Sequence, residues 1–500
     1  MKAYLIGAGP GDPGLFTLRG KAVLEKADVV VYDYLANHAF LQWARPDAEL
    51  IYVGKKAGAH ALPQREINSL LVRKAKEGKL VARLKGGDPY IFGRGGEEAE
   101  ALADAGIEFE TVPGISSAAA APAYAGIPLT HRAFASSVTL ITGHEDPDKP
   151  GSAHNWKALA AGAGTLVFVM GMKTLPEISR KLIEAGLPPD TPAALIHWGT
   201  TPRQRSLVST LDKLPHEAVA QGFANPSLIV VGGVVSLRDR LNWFEKKPLL
   251  GRGVVVTRAE EQAGGLANML EELGAEAIRF PTISIVPLEE YGKADALVEQ
   301  LASYDWLIFT SVNGVRHFWR RLAARGKDSR ALGRCKAAAI GPATADALRA
   351  RGVEPDFVPE KYLAEGIVEG LLALGAAGKR VLVPRALEAR EVLPDELRKA
   401  GAEVDILPVY RTLPARSRCG EVLELLDQGR IHCVTFGSSS TADNFLSLIP
   451  PDTLRKYPLL RLAAIGPITK KTLERHGLEC HIMPEEHTIP ALVASLREAL

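Results

Sequence analysis

Residues 83–98, RLKGGDPYIFGRGGEE, place two adjacent glycines, an aspartate and a proline directly after the apolar run KLVARL at 79–84. That run predicts a buried strand, so Gly86, Gly87 and Asp88 begin where the strand ends. Glycine adopts positive φ without steric cost and allows a backbone to approach a ligand closely. The stretch therefore indicates either a small-ligand site at the carboxyl edge of a sheet or a tight turn.

A second glycine-rich stretch, GAGPGDPG at 7–14, also follows a predicted strand. It does not fit the dinucleotide pattern G-x-G-x-x-G, because Asp12 stands where the third glycine is needed and Pro13 follows. The pattern therefore disfavours a nicotinamide-binding dehydrogenase, the first alternative to be considered for this stretch.

Short β-branched runs alternate with Ala/Leu-rich amphipathic stretches along the whole chain, which predicts an α/β protein with buried, largely parallel sheets. The predicted strands of the first half are residues 3–9, 28–33, 79–84, 137–143, 165–171 and 227–233, and the clearest helix is 65–78.

The second half contains an internal repeat. AAIGPATADALRARGVEPDFVPE at 338–360 returns as AAIGPITKKTLERHGLECHIMPE at 463–485, and GAEAIRFP at 274–281 returns as GAEVDILP at 401–408. FTSVNGVRHF at 309–318 is matched more loosely by FGSSSTADNF at 436–445. Three blocks with nearly constant spacing predict two similar α/β lobes after residue 250.

Composition excludes several classes of protein. The 500 residues are too many for one core, and a formal net charge of +2 gives no sign of nucleic-acid binding or of a polybasic membrane anchor. The four cysteines are not at metal-ligand spacing, so no metal is expected. The N-terminal apolar run is too short for a signal peptide and no run could span a bilayer, so a cytoplasmic protein is expected.

The ordered set GAGPGDPGLFTLRG, DVVVYD, VGKKAG, RLKGGDPYIFGRGGEE, VPGISSA, YAGIPLTHR, TGH, VMG and NPSLIVVG resembles the uroporphyrinogen-III C-methyltransferases over residues 1–245. The resemblance implies a bilobal tetrapyrrole-methylase fold, with lobes at about 1–113 and 114–245 and S-adenosylmethionine between them. It implies cofactor contacts at Pro10, Gly86, Gly87, Asp88, Ile91, Ser116, Ser117, Met170 and Gly199.

The same resemblance implies that Asp33 is a proton acceptor and Lys55 a proton donor. A pyrrole nitrogen must lose its proton as the neighbouring carbon takes the methyl group, and a carboxylate within hydrogen-bond reach can accept that proton. The substrate carries eight carboxylates, for which arginines at loop motifs are candidate forks: Arg83, Arg94 and Arg132. Two positions depart from the family pattern, Tyr34 where arginine is common and Val169 where tyrosine is usual. His38, His60, His131 and His144 are assigned to packing or hydrogen bonding.

Residues 250–500, from GVVVTRA to HTIPAL, resemble the uroporphyrinogen-III synthases. The resemblance implies two similar α/β lobes, the first discontinuous (253–285 plus 415–500) and the second at 286–414, after a linker at 246–252. It implies that Tyr410 is the acid that assists loss of the substrate hydroxyl, although hinge packing is an open alternative. Other candidate substrate contacts lie in turns before helices, where simple helix capping is the alternative: Ser311, Asn313, Gly314, Gly341, Thr344, Ser438, Ser439, Gly466, Thr469 and Thr488.

Together the two resemblances imply a bifunctional enzyme. It would close hydroxymethylbilane to uroporphyrinogen III with inversion of ring D, and then transfer two methyl groups from S-adenosylmethionine to give precorrin-2, on the way to sirohaem or cobalamin. The synthase half needs no cofactor, and the methyltransferase half implies a homodimer. The alternative is a methyltransferase whose C-terminal half is a non-catalytic tetrapyrrole-binding module.

Overall fold

The structure is a computed structural model, and it describes residues 2–54, 62–143, 154–162, 164–257, 260–360, 364–388, 392–414 and 419–500. Backbone contacts divide the chain into two compact units. The first unit comprises the residues up to Val254 with Asn268–Ala277 and Leu496–Leu500, and the second comprises Val255–Ala267 with Ile278–Ser495. Among the helices in these ranges, none has the length and apolar composition needed to cross a membrane.

The first unit begins with a parallel five-stranded sheet. Its strands are β1 (Lys2–Gly7), β2 (Val29–Tyr32), β3 (Glu49–Tyr52), β4 (Leu80–Lys85) and β5 (Glu108–Val112), in the order β3-β2-β4-β1-β5. Its helices are α1 (Leu18–Leu24), α2 (Gln64–Lys76) and α3 (Gly95–Asp104), with 3-10 turns at Pro13–Leu15 and His38–Trp43. Apolar clusters cover both faces, which explains the continuous β-branched runs of the strands. All five carboxyl ends lie at one edge.

A second five-stranded sheet completes the first unit, in the order β6-β7-β10-β8-β9. The strands are β6 (Val138–Thr142), β7 (Thr165–Val169), β8 (Pro192–His197), β9 (Arg205–Thr210) and β10 (Ser227–Val231). The helices are α4 (Ser117–Tyr124), α5 (Trp156–Gly162), α6 (Leu175–Glu184), α7 (Leu214–Ala220) and α8 (Arg238–Leu241), with a 3-10 turn at Gly233–Leu237.

This second sheet is mixed, which differs from the prediction of largely parallel sheets. Strand β10 is antiparallel to both β7 and β8, and β8 is antiparallel to β9. The connection from β8 to β9 is too short to hold a crossover helix, and a short connection joins antiparallel strands. Strands β7 and β8 are consequently parallel to each other, and their carboxyl ends share one edge.

The chain from residue 253 onward contains two more sheets, in the orders β12-β11-β18-β19 and β13-β17-β16-β14-β15. The strands are β11 (Gly253–Val256), β12 (Glu276–Arg279), β13 (Ile283–Val286), β14 (Trp306–Phe309), β15 (Lys336–Ala339), β16 (Arg380–Ala386), β17 (Glu403–Pro414), β18 (Cys433–Phe436) and β19 (Arg461–Ala464). The first seven helices are α9 (Glu260–Glu272), α10 (Gly292–Glu299), α11 (Val312–Ala324), α12 (Pro342–Arg349), α13 (Ala364–Ala373), α14 (Val392–Lys399) and α15 (Cys419–Asp427). The others are α16 (Ser439–Leu448), α17 (Pro451–Leu454), α18 (Pro467–Arg475) and α19 (Ile489–Ala499), with 3-10 turns at Leu301–Ser303 and Ser329–Leu332.

The internal repeat is visible in the strand orders of these sheets. The order β12-β11-β18-β19 is repeated by β17-β16-β14-β15, and β13 is an additional strand antiparallel to β17. The isolated parallel bridge between Ala338 and Phe357 recurs between Ala463 and Ile482. The predicted pair of similar lobes is confirmed, and the first is discontinuous because β11 and β12 share a sheet with β18 and β19.

Residues 246–252, predicted to be a linker, are packed rather than extended. Leu249 is fully buried. The N–H of Gly251 donates to the carbonyl of Pro202 at 2.9 Å, which fixes this segment to the first unit. The segment predicted as a linker therefore packs within the first unit.

Candidate functional site

Three glycines meet where β1, β4 and β5 end in the first sheet. A Cβ added to Gly7 would lie 2.4 Å from the Cα of Gly114, and a Cβ added to Gly114 would lie 2.3 Å from the carbonyl oxygen of Gly87. The N–H of Gly9 donates to the carbonyl of Gly87 at 3.1 Å, and the N–H of Gly87 donates back to Gly9 at 2.7 Å. The two glycine motifs of the sequence therefore lie side by side, held at a spacing that no larger residue permits.

The carboxylate of Asp88 holds this arrangement together. Its Oδ1 accepts hydrogen bonds from the N–H groups of Tyr90 (2.8 Å) and Ile91 (3.2 Å), and its Oδ2 accepts from the N–H of Gly114 (3.0 Å). The side chain is buried. A buried carboxylate that accepts three backbone N–H groups fixes two loops in one conformation. Asp88 therefore shapes the edge of the sheet, whatever else it contacts.

An open space lies in front of Gly87, whose φ is +68°. The atoms nearest to a Cβ added to Gly87 would be the Cα of Ser116 and the backbone nitrogen of Ser117, at the start of α4. Both would lie 3.9 Å away. Helix α4 in turn packs against the second sheet, because a Cβ on Gly199 would lie 2.3 Å from the Cβ of Ala121. Predicted cofactor contacts from three distant segments are thus brought to one place.

The loop after β1 reaches the loop after β8 within the same unit. The N–H of Asp12 donates to Oγ1 of Thr200 at 3.2 Å, and the hydroxyl of Tyr124 donates to Oδ2 of Asp12 at 2.6 Å. Burial, with the Asp12 carboxylate as a second cause, raises the pKa of the Tyr124 hydroxyl well above its usual value. Pro10 lies in this loop, next to the Gly9–Gly87 pair, so it borders the same space.

Backbone strain is concentrated at the facing edge of the second sheet. Met170 (φ +60°), Trp198 (φ +48°) and Thr200 (φ +68°) follow the carboxyl ends of β7 and β8 and occupy the left-handed region. Such conformations are unfavourable for residues with a Cβ, and they cluster at ligand sites. Met170, one of the predicted cofactor contacts, directly follows the carboxyl end of β7, and its side chain is partly exposed. The glycines, the helix start and the strained edge together fit a small ligand approached closely by backbone.

Asp33 follows β2 at this same edge and is bound to Arg83. The Asp33 Oδ2 accepts from Nη2 of Arg83 at 3.0 Å, and its Oδ1 accepts from the N–H of Leu35 at 3.1 Å. The Arg83 side chain is 4% exposed, and its Nε and Nη1 donate to Glu98 (3.1 Å) and to the carbonyl of Leu84 (2.9 Å).

The prediction that Arg83 holds a substrate carboxylate is therefore wrong in this geometry. Arg83 belongs to strand β4 in the middle of the sheet and not to the loop that follows it. Its guanidinium consequently lies inside the lobe with Asp33 and Glu98 as partners.

Glu98 and Lys85 complete the buried group of charges. Nζ of Lys85 donates to Oε1 of Glu98 at 2.8 Å, and Nε2 of Gln64 donates to the same oxygen at 3.2 Å. Burial, followed by the neighbouring charge of Arg83, lowers the pKa of Lys85. Neither Glu98 nor Lys85 was singled out from the sequence. The available signal was the spacing of Arg83 and Lys85, because two cations two residues apart on a buried strand share a face and need an acidic partner there.

The remaining predicted residues of the first unit are less informative. Arg94 has φ +57° and its exposed guanidinium binds both oxygens of Glu97, at 2.7 and 2.8 Å. Arg132 is exposed in the turn between His131 and Ala135. Lys55, the predicted proton donor, lies outside the described residues, as do His60 and His144.

Tyr410 lies within β17, at the last residue of that strand that pairs with β16, where the register shifts. Its hydroxyl is 3.3 Å from Oγ of Ser311, and its ring is 5.2 Å from the ring of His317. The side chain is 7% exposed, and burial raises the pKa of the hydroxyl. A bulge at the end of a strand pairing re-aims a side chain, and here it directs Tyr410 to the residue that caps α11.

The predicted turn residues of the second unit lie at the starts of five helices. Ser311 caps α11 by accepting from the N–H of Gly314 at 3.0 Å, and Ser438 caps α16 in a capping box with Thr441. Helices α12 and α18 begin with proline after Gly341 and Gly466, without a side-chain cap. Asn313 and Ser439 fall in the first turns of α11 and α16, and Oγ1 of Thr488 accepts from the N–H of Ala491 (3.3 Å) at the start of α19.

Thr344 and Thr469 are not caps. Each is the third residue of its helix, after the proline, and each is 4% exposed. The capping alternative is therefore wrong for both threonines, because a cap residue precedes the first helical residue. Both residues are buried, and their contact with the substrate remains a prediction.

No group of three or more His, Cys, Asp or Glu residues able to hold a metal ion occurs in the part of the chain that the structure describes.

In the comparison with known proteins, two family models match separate parts of the chain. Residues 2–215 match the family model of the tetrapyrrole (corrin/porphyrin) methylases, and residues 265–494 match that of uroporphyrinogen-III synthase HemD. A porphyrin biosynthesis protein HemD of Ruminiclostridium josui is 39% identical over 99% of this chain and 97% of its own length. A uroporphyrinogen-III C-methyltransferase of Bacillus subtilis is 51% identical over 49% of this chain and 95% of its own length.

Among solved structures, the uroporphyrin-III-C-methyltransferase of Thermus thermophilus matches this chain with 42% sequence identity and a TM-score of 0.41. The match covers 48% of this chain and 96% of the Thermus thermophilus chain. The Ruminiclostridium josui protein aligns over nearly the full length of both chains, and this alignment decides the family assignment. The chain belongs to the same family as that porphyrin biosynthesis protein, with a tetrapyrrole methylase half followed by a uroporphyrinogen-III synthase half.

Proposed function

We propose that the chain closes hydroxymethylbilane to uroporphyrinogen III and then methylates that product twice to precorrin-2, with S-adenosylmethionine as methyl donor. One observation carries this proposal: two families that act on the same macrocycle match separate halves of one chain. A non-catalytic binding module in the second half is not favoured, because that half matches an enzyme family and the full-length relative spans both halves.

The methyl donor fits the edge described above. The residues proposed to hold it are Pro10, Gly86, Gly87, Asp88, Ile91, Ser116, Ser117, Met170 and Gly199. The open space in front of Gly87, bordered by the start of α4, supports this assignment because a side chain there would fill it. When bound, S-adenosylmethionine supplies an electrophilic methyl group. The chain's own residues orient donor and acceptor, and such orientation is a large part of rate enhancement.

The proton lost from the substrate is assigned to Asp33. Its Oδ2 is occupied by Arg83, and Oδ1 accepts only one backbone N–H among the contacts described, so a lone pair of Oδ1 remains to take a proton. The bond from Arg83 fixes the carboxylate in place, as a base acting at one oxygen requires. Arg94 and Arg132, both exposed, are proposed as contacts for substrate carboxylates. Lys55 is proposed as proton donor from the resemblance alone.

For ring closure, the proposed acid is Tyr410. Its hydroxyl would donate toward the departing hydroxyl of the substrate, with Ser311 as its neighbour. Residues at the helix starts described above, Ser311, Asn313, Gly314, Gly341, Ser438, Ser439, Gly466 and Thr488, are proposed to face the substrate carboxylates. Helix N-termini favour anions, because their first N–H groups are unpaired and the helix dipole is positive there.

Replacing Tyr410 with phenylalanine is expected to lower the rate of uroporphyrinogen III formation about a hundredfold, in the range for loss of a general acid. Methyl transfer to added uroporphyrinogen III should stay at the wild-type rate. Isomer analysis of the product measures the first reaction, and transfer of labelled methyl groups measures the second. Tyr457→Phe is the matched control. The hydroxyl of Tyr457 donates to Oδ1 of Asp427 at 2.6 Å, and neither residue lies at one of the helix starts described above. An unchanged synthase rate in Tyr410→Phe would remove this residue from the mechanism.

The proposed function is tested by its two half-reactions. Hydroxymethylbilane without S-adenosylmethionine should give the type III isomer, and uroporphyrinogen III with S-adenosylmethionine should take up two methyl groups. Formation of only the uncatalysed type I isomer would refute the synthase assignment. Absence of methyl uptake would refute the methyltransferase assignment.

The domain division and the assembly are proposed on the same basis. The proposed methyltransferase domain is 1–245, with lobes at about 1–113 and 114–245, and the proposed synthase domain is 253–500, with 246–252 between them. The family resemblance supports a homodimer formed through the methyltransferase half. Sedimentation equilibrium should give twice the 53.7 kDa chain mass, and a single chain mass would contradict the dimer. A cytoplasmic location is supported by the four cysteines, all of which are free thiols.

A further inference from the structure

Four charged side chains form a connected group beneath the methyltransferase edge. Their contacts run from Asp33 to Arg83 (3.0 Å), from Arg83 to Glu98 (3.1 Å) and from Glu98 to Lys85 (2.8 Å). The side chains of Arg83, Lys85 and Glu98 are 4%, 5% and 0% exposed, whereas Asp33 is 27% exposed and reaches the cleft. The group thus begins in the interior and ends on the proposed base.

Such a group is a poor means of stabilising the fold. Desolvation of buried charges is expensive, and apolar residues of similar volume often stabilise a core as well or better. Oε1 of Glu98 accepts from three donors, the third being Gln64, while Oε2 has no hydrogen-bond partner among the described residues. A carboxyl group buried between two cations with one oxygen unsatisfied indicates a task other than packing.

We propose that Arg83 and Glu98 are positioning residues for methyl transfer: Glu98 holds the guanidinium of Arg83, and Arg83 fixes the carboxylate of Asp33 at the cleft. This inference rests on the proposed role of Asp33 as the base.

The geometry of Arg83 explains how it can fix the orientation of the Asp33 carboxylate. The guanidinium is planar, and its nitrogens donate in three directions, to Glu98, to the Leu84 carbonyl and to Asp33. With the plane fixed by the first two, the third donor holds Oδ2 of Asp33 in one place and leaves Oδ1 toward the cleft. A lysine carries the same charge without this fork, so it would attract Asp33 but not orient it.

Glu98 also connects the base to the glycine loop. It stands on α3, which begins at Gly95 directly after the loop that contains Gly86, Gly87 and Asp88. A shift of Glu98 would therefore displace both Arg83 and the start of α3. Through these contacts, the orientation of the base and the shape of the proposed cofactor edge depend on one buried carboxylate.

Other titratable groups lie near Asp33. Tyr52 from β3 has a raised pKa, caused first by burial and then by the Asp33 charge, and Lys85 from β4 adds a positive charge nearby. Tyr34, the next residue in the chain, is exposed. Arg83 is the one cation of the described chain that is bonded to Asp33 in the structure, so its removal takes away the group that fixes this carboxylate.

The test compares Asp33→Asn, Arg83→Met, Arg83→Lys and Glu98→Gln in the full chain. Methyl transfer to uroporphyrinogen III is followed as kcat and KM across pH, and binding of S-adenosylhomocysteine is followed by calorimetry. Circular dichroism and urea unfolding report whether the first half of each variant is folded. Arg45→Met is the control, because it removes an arginine–aspartate bond of similar length (2.9 Å to Asp28) at the opposite end of β2.

We expect kcat to fall about a hundredfold in Arg83→Met and about tenfold in Glu98→Gln, with KM changed less than about threefold. Arg83→Lys should recover only part of the wild-type kcat, because lysine keeps the charge but lacks the planar fork. Arg45→Met should behave as wild type. If Arg83→Met does not fold, Glu98→Gln and Arg83→Lys decide the question.

Two outcomes would overturn the inference. If Asp33→Asn loses methyl transfer but Glu98→Gln and Arg83→Lys keep the wild-type kcat and pH profile, positioning by this group is refuted and the proposed function stands. If Asp33→Asn keeps the wild-type kcat, Asp33 is not the base, and the inference falls with that assignment while the methyltransferase activity remains.

Discussion

Replacing Asp88 with alanine is expected to lower the rate of methyl transfer at least about a hundredfold while uroporphyrinogen III formation continues at the wild-type rate. The substitution removes the acceptor of three backbone hydrogen bonds, from Tyr90, Ile91 and Gly114. Each hydrogen bond to a charged group contributes about 1.5–3 kcal/mol, so the two loops lose several kcal/mol of local stability. These loops carry the residues proposed to hold the methyl donor, and no residue of the synthase half takes part.

The measurement is a pair of initial rates on one preparation of Asp88→Ala, one for each reaction. Asp104→Ala is the matched control, because Asp104 is an exposed aspartate at the end of α3 in the same lobe. Asp88→Asn should be intermediate, since the amide retains one acceptor oxygen. Wild-type methyl transfer in Asp88→Ala would show that the glycine loops do not form the cofactor site.

Replacing Gly114 with alanine should have a comparable effect for a steric reason. The new Cβ would lie 2.3 Å from the carbonyl oxygen of Gly87 and 2.6 Å from the Cα of Gly7. Both are backbone atoms in or beside the parallel sheet, so neither can move aside as a flexible side chain would. Overpacking of this kind costs about 1–3 kcal/mol where side chains can adjust, and the cost here should reach or exceed the upper value.

We therefore expect Gly114→Ala to lose methyl transfer and to lower the free energy of unfolding of the first half by about 3 kcal/mol. Urea unfolding and the methyl-transfer rate measure the two effects. Gly96→Ala is the control, because Gly96 lies in α3 with open space at its Cβ position, and alanine should raise helix stability by up to about 1 kcal/mol. Equal behaviour of the two variants would contradict the close approach of the three loops.

Much of the fold could be predicted because its strands are short β-branched runs between strong breakers. The strand predicted at 79–84 is β4 at Leu80–Lys85, and the helix predicted at 65–78 is α2 at Gln64–Lys76. The repeat predicted two similar lobes, because similar sequences at constant spacing fold alike. The direction of β10 could not be predicted from its residues, since an apolar strand buried on both faces has the same composition whichever way it runs.

The site was less accessible to sequence reasoning, because it depends on contacts between distant segments. The glycine motifs identified the edge, but their pairing through Gly9 and Gly87 depends on the register of β1 with β4. Arg83 was misassigned because the strand extends through Lys85, which moves Arg83 from the expected loop into the interior. Glu98 was not identified, since the first turn of a helix commonly carries solvated glutamates and burial is decided by what the helix packs against.

The structure shows what surrounds Tyr34, one of the two residues that depart from the family pattern. Its exposed ring lies edge-on to Trp198 at 6.0 Å, and the guanidinium of Arg203 lies 3.6 Å from the centroid of the Trp198 ring. Aromatic and cation–π contacts thus surround the position where the family resemblance predicts arginine. The structure gives no explanation for Val169 in place of tyrosine.

The central claim is that one chain performs two consecutive reactions at separate sites. The most direct measurement supplies the purified full-length chain with hydroxymethylbilane and S-adenosylmethionine in one anaerobic reaction and identifies the macrocycle by isomer analysis and mass. The account predicts a dimethylated type III product with two equivalents of spent methyl donor for each macrocycle. Unmethylated type I macrocycle as the only product, under conditions in which the chain is folded, would contradict it.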